Sequence, residues 1–357
     1  VKVCVYGAGA IGGHVAARLA RGGAQVSVVA RGAHLAAMQA NGLTVIGAEE
    51  TFTVPVTASE DAAALGRQDA VIVTVKAPAL ASVASGIAPL LGHDTPVAFV
   101  MNGIPWWYYH GHGGPADGKR LPRLDPDDAL WRAVKPENAI GGVVYSACTV
   151  TVPGTIEVEG KRNRIVLGEP DGRLTGRLAA LAAALRAGGW QIEESERIRD
   201  AIWQKLMLNL YSGLLSIVSG APLRRVMAEP ACADAARRLL AEGTAIAAAM
   251  GCTVAPDVER LVDPAMQTSH TPSIVQDLQR GRPMEIETLY AVPQAMARQA
   301  GVPTPTLDLL LALAGQRAAA AGLYDPGPSR AAPQGSSQGS PQGSPQGSPQ
   351  GSSRGPT

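Results

Sequence analysis

The sequence predicts an α/β protein: a parallel sheet wrapped by helices, followed by an all-helical part. Three observations predict it. Short β-branched apolar runs alternate with alanine-rich stretches of helical period as far as residue 196 or so. After Glu196 only helical patterns follow. A glycine-rich turn joins the first strand to the first helix, as in a Rossmann-type βαβ unit.

The strands are expected at 1–6, 25–30, 70–75, 97–101, 142–145, 155–158, 164–167 and 191–193. Their continuous apolar runs suit a parallel sheet buried on both faces. Helical periodicity falls at 11–21, 33–39, 80–90 and 174–187 between them. The later helices are expected at 198–219, 230–250, 271–279, 283–300 and 306–321, the fourth kinked by Pro293, which lacks an amide donor. The reading is therefore a Rossmann-type domain over 1–196 and a helical domain over 197–324, with a cleft between them. From Pro326 the chain becomes a Ser-Pro-Gln-Gly near-repeat, so 325–357 is expected to be a disordered tail.

Composition narrows the function classes. The 31 basic and 30 acidic residues leave a net charge of +1 without clusters, so neither nucleic acid nor an anionic membrane is expected as a partner. No apolar run approaches the roughly 18 residues of a membrane span. The opening segment is broken by glycines and reads as strand, turn and helix rather than a secretion signal. The four cysteines, Cys4, Cys148, Cys232 and Cys252, show no paired spacing, which fits a reduced, cytoplasmic protein.

The opening turn carries G-x-G-x-x-G at Gly7, Gly9 and Gly12, with Ala8, Ala10 and Ile11 completing the loop. Gly7 permits the tight turn, Gly9 admits a pyrophosphate to the backbone, and Gly12 lets helix and strand pack closely. The helix N-terminus then offers free N–H groups to phosphates. A dinucleotide site usually places an acid at the end of the second strand for the ribose hydroxyl. Here Arg31 stands there instead, which suits a 2′-phosphate and favours NADPH/NADP+.

Lysine occurs only six times in the chain, and Lys205 is set among Ile202, Trp203, Leu206, Met207 and Leu208. Lys205, Asn209, Ser212 and Ser216 fall four, three and four residues apart, so they line one helix face. Either this seam faces a wet cleft or the lysine snorkels to the surface. Lys76 and Asn102, the latter followed by Gly103, stand just past the carboxyl ends of predicted strands, where open α/β sheets bind ligands. Ser273, Asp277 and Glu285 are further candidates, although a first-turn serine and a carboxylate at a helix start have ordinary structural roles.

Together these residues resemble the ketopantoate reductase (2-dehydropantoate 2-reductase) family over about residues 2–315. The resemblance rests on the glycine fingerprint, Lys76, Asn102-Gly103, the run Trp203, Lys205, Leu206 and Asn209, and the set Ser273, Gln276, Asp277, Glu285 and Ile286. It implies NADPH-dependent reduction of a 2-oxoacid or related ketone, with 2-dehydropantoate as the default substrate. Lys205 would be the general acid, with Glu285 orienting it and the cofactor. Gly7, Ala8, Gly9, Ala10, Ile11, Gly12, Arg31, Lys76, Asn102 and Ala147 would contact cofactor. Asn102, Lys205, Asn209 and Ser273 would contact substrate. The expected partners are a small ketone and, at most, a second copy of the chain in a homodimer.

Two departures stand out. The family's second substrate-facing Asn, one turn beyond the first, is replaced by Gly213, and a later one by Leu223. The segment after Asn102 is long, and Trp106, Trp107, Tyr108 and Tyr109 in it are expected to form an aromatic lid. His110 and His112 lack a third ligand nearby, so no metal is expected. Other readings are an opine-type or other dehydrogenase acting on a bulkier ketone, and an NADPH-sensing regulator without turnover.

Overall fold

The computed structural model describes residues 1–267, 271–326 and 355, without the side chains of residues 161 and 162. The expected tail, 325–357, lies almost wholly outside the described residues. Residues 1–324 form one compact unit. The boundary expected near residue 196 falls between the last strand and a helix beginning at Ile198.

The strands are β1 (Lys2–Tyr6), β2 (Gln25–Val29), β3 (Leu43–Gly47), β4 (Thr51–Val54) and β5 (Thr57–Ser59), then β6 (Ala70–Val73), β7 (Val97–Val100), β8 (Ala139–Val152), β9 (Thr155–Gly168) and β10 (Gln191–Glu194). They form one sheet in the order β4-β3-β9-β8-β7-β6-β1-β2-β5, with β10 beside β9. From β5 to β8 every neighbouring pair is parallel. β1 leads to β2 on one side and pairs with β6 on the other, which creates a switch point at their carboxyl ends, where a crevice opens.

Side chains alternate across this sheet, and both faces are buried. Val3, Val5, Val28, Ile72 and Ala98 pack on one face against the helices Ala10–Arg21 and Gly176–Ala187. Cys4, Tyr6, Val71, Val73 and Phe99 face the other way, into the core shared with the C-terminal helices. That core centres on the helix Ile198–Ser219, apolar on most sides, which Gly220 ends in the left-handed conformation.

Three strands, β3 to β5, were not expected from the sequence. The pieces expected at 155–158 and 164–167 are parts of one long strand, β9, paired antiparallel with β8 across two register shifts. The helix expected over 283–300 is also different. Five residues, Glu287–Ala291, are wound as a π-helix directly before the α-helix Val292–Gln299. In that winding the Val292 N–H donates to the Glu287 carbonyl, so the next donor would serve Thr288. That next residue is Pro293, which has no N–H. The freed Thr288 carbonyl instead accepts from the Ile104 N–H at 2.9 Å.

The aromatic run is core, not a lid. Trp106, Trp107, Tyr108 and Tyr109 are at most 3% exposed. The Trp203 indole donates to the Tyr108 hydroxyl at 2.8 Å. The Arg199 guanidinium holds the turn by donating to the carbonyls of Tyr108, His110 and Pro170 at 2.6–2.8 Å. Rings of this size gain more from full burial than from covering a wet cleft. Trp107→Ala is therefore expected to cost about 3–5 kcal/mol in chemical denaturation, as large-to-small core changes do, with little change in substrate KM.

Candidate active site

The cleft at the switch point has a volume of about 860 Å³. Its floor is the glycine turn. Gly7 has a φ of +99°, and a Cβ there would lie 2.4 Å from Val75 Cγ1, so only glycine fits. Gly9 faces open space. The helix after it has no side-chain cap and no acid in its first turn. Its leading N–H groups are thus available to an anion, and the fit to a dinucleotide pyrophosphate is good.

Gly7, Ala8, Gly9, Ala10 and Ile11 line the cleft, but Gly12 does not. A Cβ on Gly12 would sit 2.2 Å from the Gly7 carbonyl, which makes it the packing glycine of the turn. Arg31 stands exposed at the end of β2 and lines the same cleft.

Lys205 is half-buried and its ammonium donates to the Val144 carbonyl. The β8–β9 ladder slips just after it, between Tyr145 and Ala147, and Ala147 faces the cleft. The ammonium also lies 5.5 Å from the Tyr145 ring centre. Burial lowers the Lys205 pKa from 10.5 to about 8, and the Glu285 carboxylate opposes that shift. The snorkelling alternative does not hold, because the head group points into the cleft rather than out to bulk water.

Glu285 is 4% exposed and accepts from the Ala77 N–H at 3.2 Å. It also accepts from the Asn102 side chain. Burial raises its pKa, while the Ala77 N–H, Lys76 and Asn102 pull it down. Lys76 is paired with the buried Asp277, across 201 residues of sequence. Asn102 is placed by its neighbour. Gly103 has a φ of +77°, and a Cβ there would come within 2.4 Å of the Thr288 carbonyl. The π-turn before Pro293 is thus what anchors the Asn102 loop.

Asn209, Ser212 and Ser273 also line the cleft. The Asn209 Nδ2 is buried and has no protein partner among the described residues. Ser212 donates to its own helix at Leu208. Ser216 is buried beyond the cleft. Two site residues were not singled out from sequence. Thr74 donates to the Gly7 carbonyl at 2.7 Å. The His34 Nδ1 accepts from the Gly154 N–H at 2.8 Å, so its Nε2 carries the proton and donates to the Ala8 carbonyl at 2.7 Å. In the sequence His34 is one position inside the helical pattern 33–39, without a signal that it clamps the turn.

Comparison with known proteins now decides the family. Residues 3–172 match the model described as "Ketopantoate reductase PanE/ApbA". Residues 197–318 match "Ketopantoate reductase PanE/ApbA C terminal". The chain is 43% identical to a 2-dehydropantoate 2-reductase of Mesorhizobium japonicum, over 91% of this chain and all of that one. It belongs to the ketopantoate reductase family.

Two solved structures agree with that membership. A ketopantoate reductase candidate from Ralstonia solanacearum MolK2 superposes with a TM-score of 0.84 at 42% identity, covering 90% of this chain and 99% of that one. A 2-dehydropantoate 2-reductase from Geobacter metallireducens gives 0.77 at 28%, covering 88% and 99%. As a ketopantoate reductase family member the chain is a pyridine-nucleotide oxidoreductase acting on a CH–OH group. No described helix is long and apolar enough to cross a membrane.

Proposed function

We propose that the chain reduces a 2-oxoacid to the 2-hydroxyacid with NADPH, 2-dehydropantoate to pantoate being the default reaction and pantothenate synthesis its setting. The observation that carries this reading is the half-buried Lys205 ammonium, poised near neutrality at the cleft beside Asn102, Glu285 and the unpartnered Asn209 amide.

When bound, the cofactor supplies a hydride to the carbonyl carbon. The chain's own groups do the rest. Lys205 stabilises the negative charge that develops on the carbonyl oxygen and donates its proton there, leaving a neutral amine that solvent reprotonates. Glu285 holds Asn102 and keeps negative charge near the ammonium. Asn102 would face both nicotinamide and substrate, and Asn209 and Ser273 would anchor the substrate's polar groups. Gly7 to Ile11 and Ala147 would hold the cofactor backbone, with Lys76 at its nicotinamide end. The four cysteines are free, which agrees with a reducing, cytoplasmic setting.

The reading is tested by following NADPH oxidation with 2-dehydropantoate and other 2-oxoacids. Lysine-dependent turnover supports it; NADPH binding without turnover of any 2-oxoacid would favour a sensor. Arg31 is expected to set the cofactor preference. A hydrogen bond to a charged group is worth about 1.5–3 kcal/mol, so Arg31→Ala should raise the KM for NADPH roughly 10–100-fold and leave that for NADH nearly unchanged.

A further inference from the structure

Among the described residues five tyrosines are buried, and four of them have a partner for the hydroxyl. Tyr6 donates to the Ser82 carbonyl at 3.0 Å and Tyr290 to the Asn209 carbonyl at 3.3 Å. Tyr108 accepts from the Trp203 indole at 2.8 Å, and Tyr109 donates to the Met250 Sδ at 3.7 Å. The fifth, Tyr211, is 4% exposed, and among the described residues its hydroxyl bonds to nothing. A buried tyrosine hydroxyl ordinarily finds a partner, because leaving it unmet is costly.

Tyr211 stands on the same helix as Lys205 and Asn209 and lines the cleft with them, while its ring packs into the core of the helical part. The Ser216 Oγ, further along that helix, is enclosed without a partner; the Tyr211 hydroxyl is not enclosed, and opens on the cleft. Burial pushes its pKa up to about 12, so the phenol keeps its proton at neutral pH and acts as a donor. At about 100° per residue, Asn209 stands about 40° to one side of Lys205 and Tyr211 about 120° to the other. The two residues therefore reach a bound molecule from different sides. Gly213, on the Asn209 side, has no side chain to offer, and Leu223 has no donor.

We propose that Tyr211 is a specificity-determining residue, whose hydroxyl donates to a hydroxyl on the side chain of the 2-oxoacid. The proposal rests on the reductase reading above and names the group that reads the substrate's side chain. A 2-oxoacid carries two groups on its reacting carbonyl, the carboxylate and the side chain. The carboxylate is attached directly to that carbon, so it stays close to Lys205 and meets Asn209 and Ser273. A side-chain hydroxyl stands further out, on the other side of the carbonyl, where Tyr211 offers the donor that positions 213 and 223 lack. With an analogue that has no hydroxyl, the phenol would lose the water at its tip and gain nothing, which is how a polar site rejects an apolar competitor.

The experiment compares kcat/KM for 2-dehydropantoate with that for 3,3-dimethyl-2-oxobutanoate, which replaces its hydroxymethyl group by methyl, in the wild type and in Tyr211→Phe. The wild type is expected to prefer 2-dehydropantoate by roughly 10–100-fold, the worth of one hydrogen bond that a buried donor would otherwise miss. Tyr211→Phe keeps the ring and removes only the hydroxyl. It should cost 2-dehydropantoate about 10-fold or more and the methyl compound no more than about 3-fold, so that the preference largely collapses. An equal loss on both acids would mean that Tyr211 acts through packing or on the carboxylate, and overturns the proposal. So does an unchanged ratio in the variant, or a wild-type preference for the methyl compound; each of these leaves the reductase reading intact. Turnover of neither acid, nor of any other 2-oxoacid, removes the reductase reading and the role of Tyr211 with it.

Discussion

Lys205→Ala is expected to lower kcat for 2-oxoacid reduction by at least about 10³. General acid catalysis contributes roughly 10²–10⁴, and a preorganised charge at the developing oxyanion contributes a comparable factor. Among the described residues, the other cations lining the cleft are paired or exposed: Lys76 is tied up by Asp277, and Arg31, Arg280 and Arg282 are exposed. The variant removes a half-buried cation held mainly by one carbonyl, so the fold should tolerate it. NADPH affinity, read by fluorescence titration, should change little. A fall in turnover below about 10-fold would remove Lys205 from the role of acid.

Glu285→Gln has the second largest expected effect. The amide keeps an oxygen for the Ala77 N–H at 3.2 Å but loses the charge that supports the Lys205 ammonium. Two consequences follow from the sign. The Lys205 pKa should move below about 8, because burial then acts without its counterweight. The Asn102 side chain also loses its charged acceptor and should be less well placed. Together these should lower kcat by about 10²–10³ at pH 8. The loss should shrink on acidification, as the lysine regains its proton. A loss independent of pH would mean that Glu285 acts through structure alone.

Much of this site could be read from the sequence because its parts are local. The glycine turn is legible as a spacing within six residues, Gly7 to Gly12, although the side chain that bars a Cβ at Gly7 is the distant Val75. The lysine face is fixed by helical period, and Asn102 and Lys76 by their position after apolar strands. What escaped depends on pairings between distant segments. The His34 clamp needs the Gly154 N–H, 120 residues away. The Asn102 loop needs a π-turn carbonyl released by Pro293, although the missing donor itself was visible and was read as a kink. The aromatic run was read as a lid from its apolar character alone. Its burial depends on Arg199 and Trp203, which reach it from the lysine helix. The short strands β3 to β5 depend on pairings: β3, although it carries Leu43, Val45 and Ile46, lies beside the distant β9, β4 pairs with β3, and β5 with β2.

The most direct test of the central claim, that Lys205 is the proton donor, is the pH dependence of kcat/KM for reduction by the wild-type protein. The protonated lysine is the active form in this direction. The account predicts a level profile at low pH and a tenfold fall per unit above about 8, with the reverse oxidation rising over the same window. A profile that stays level until the ordinary lysine value of 10.5 would contradict it.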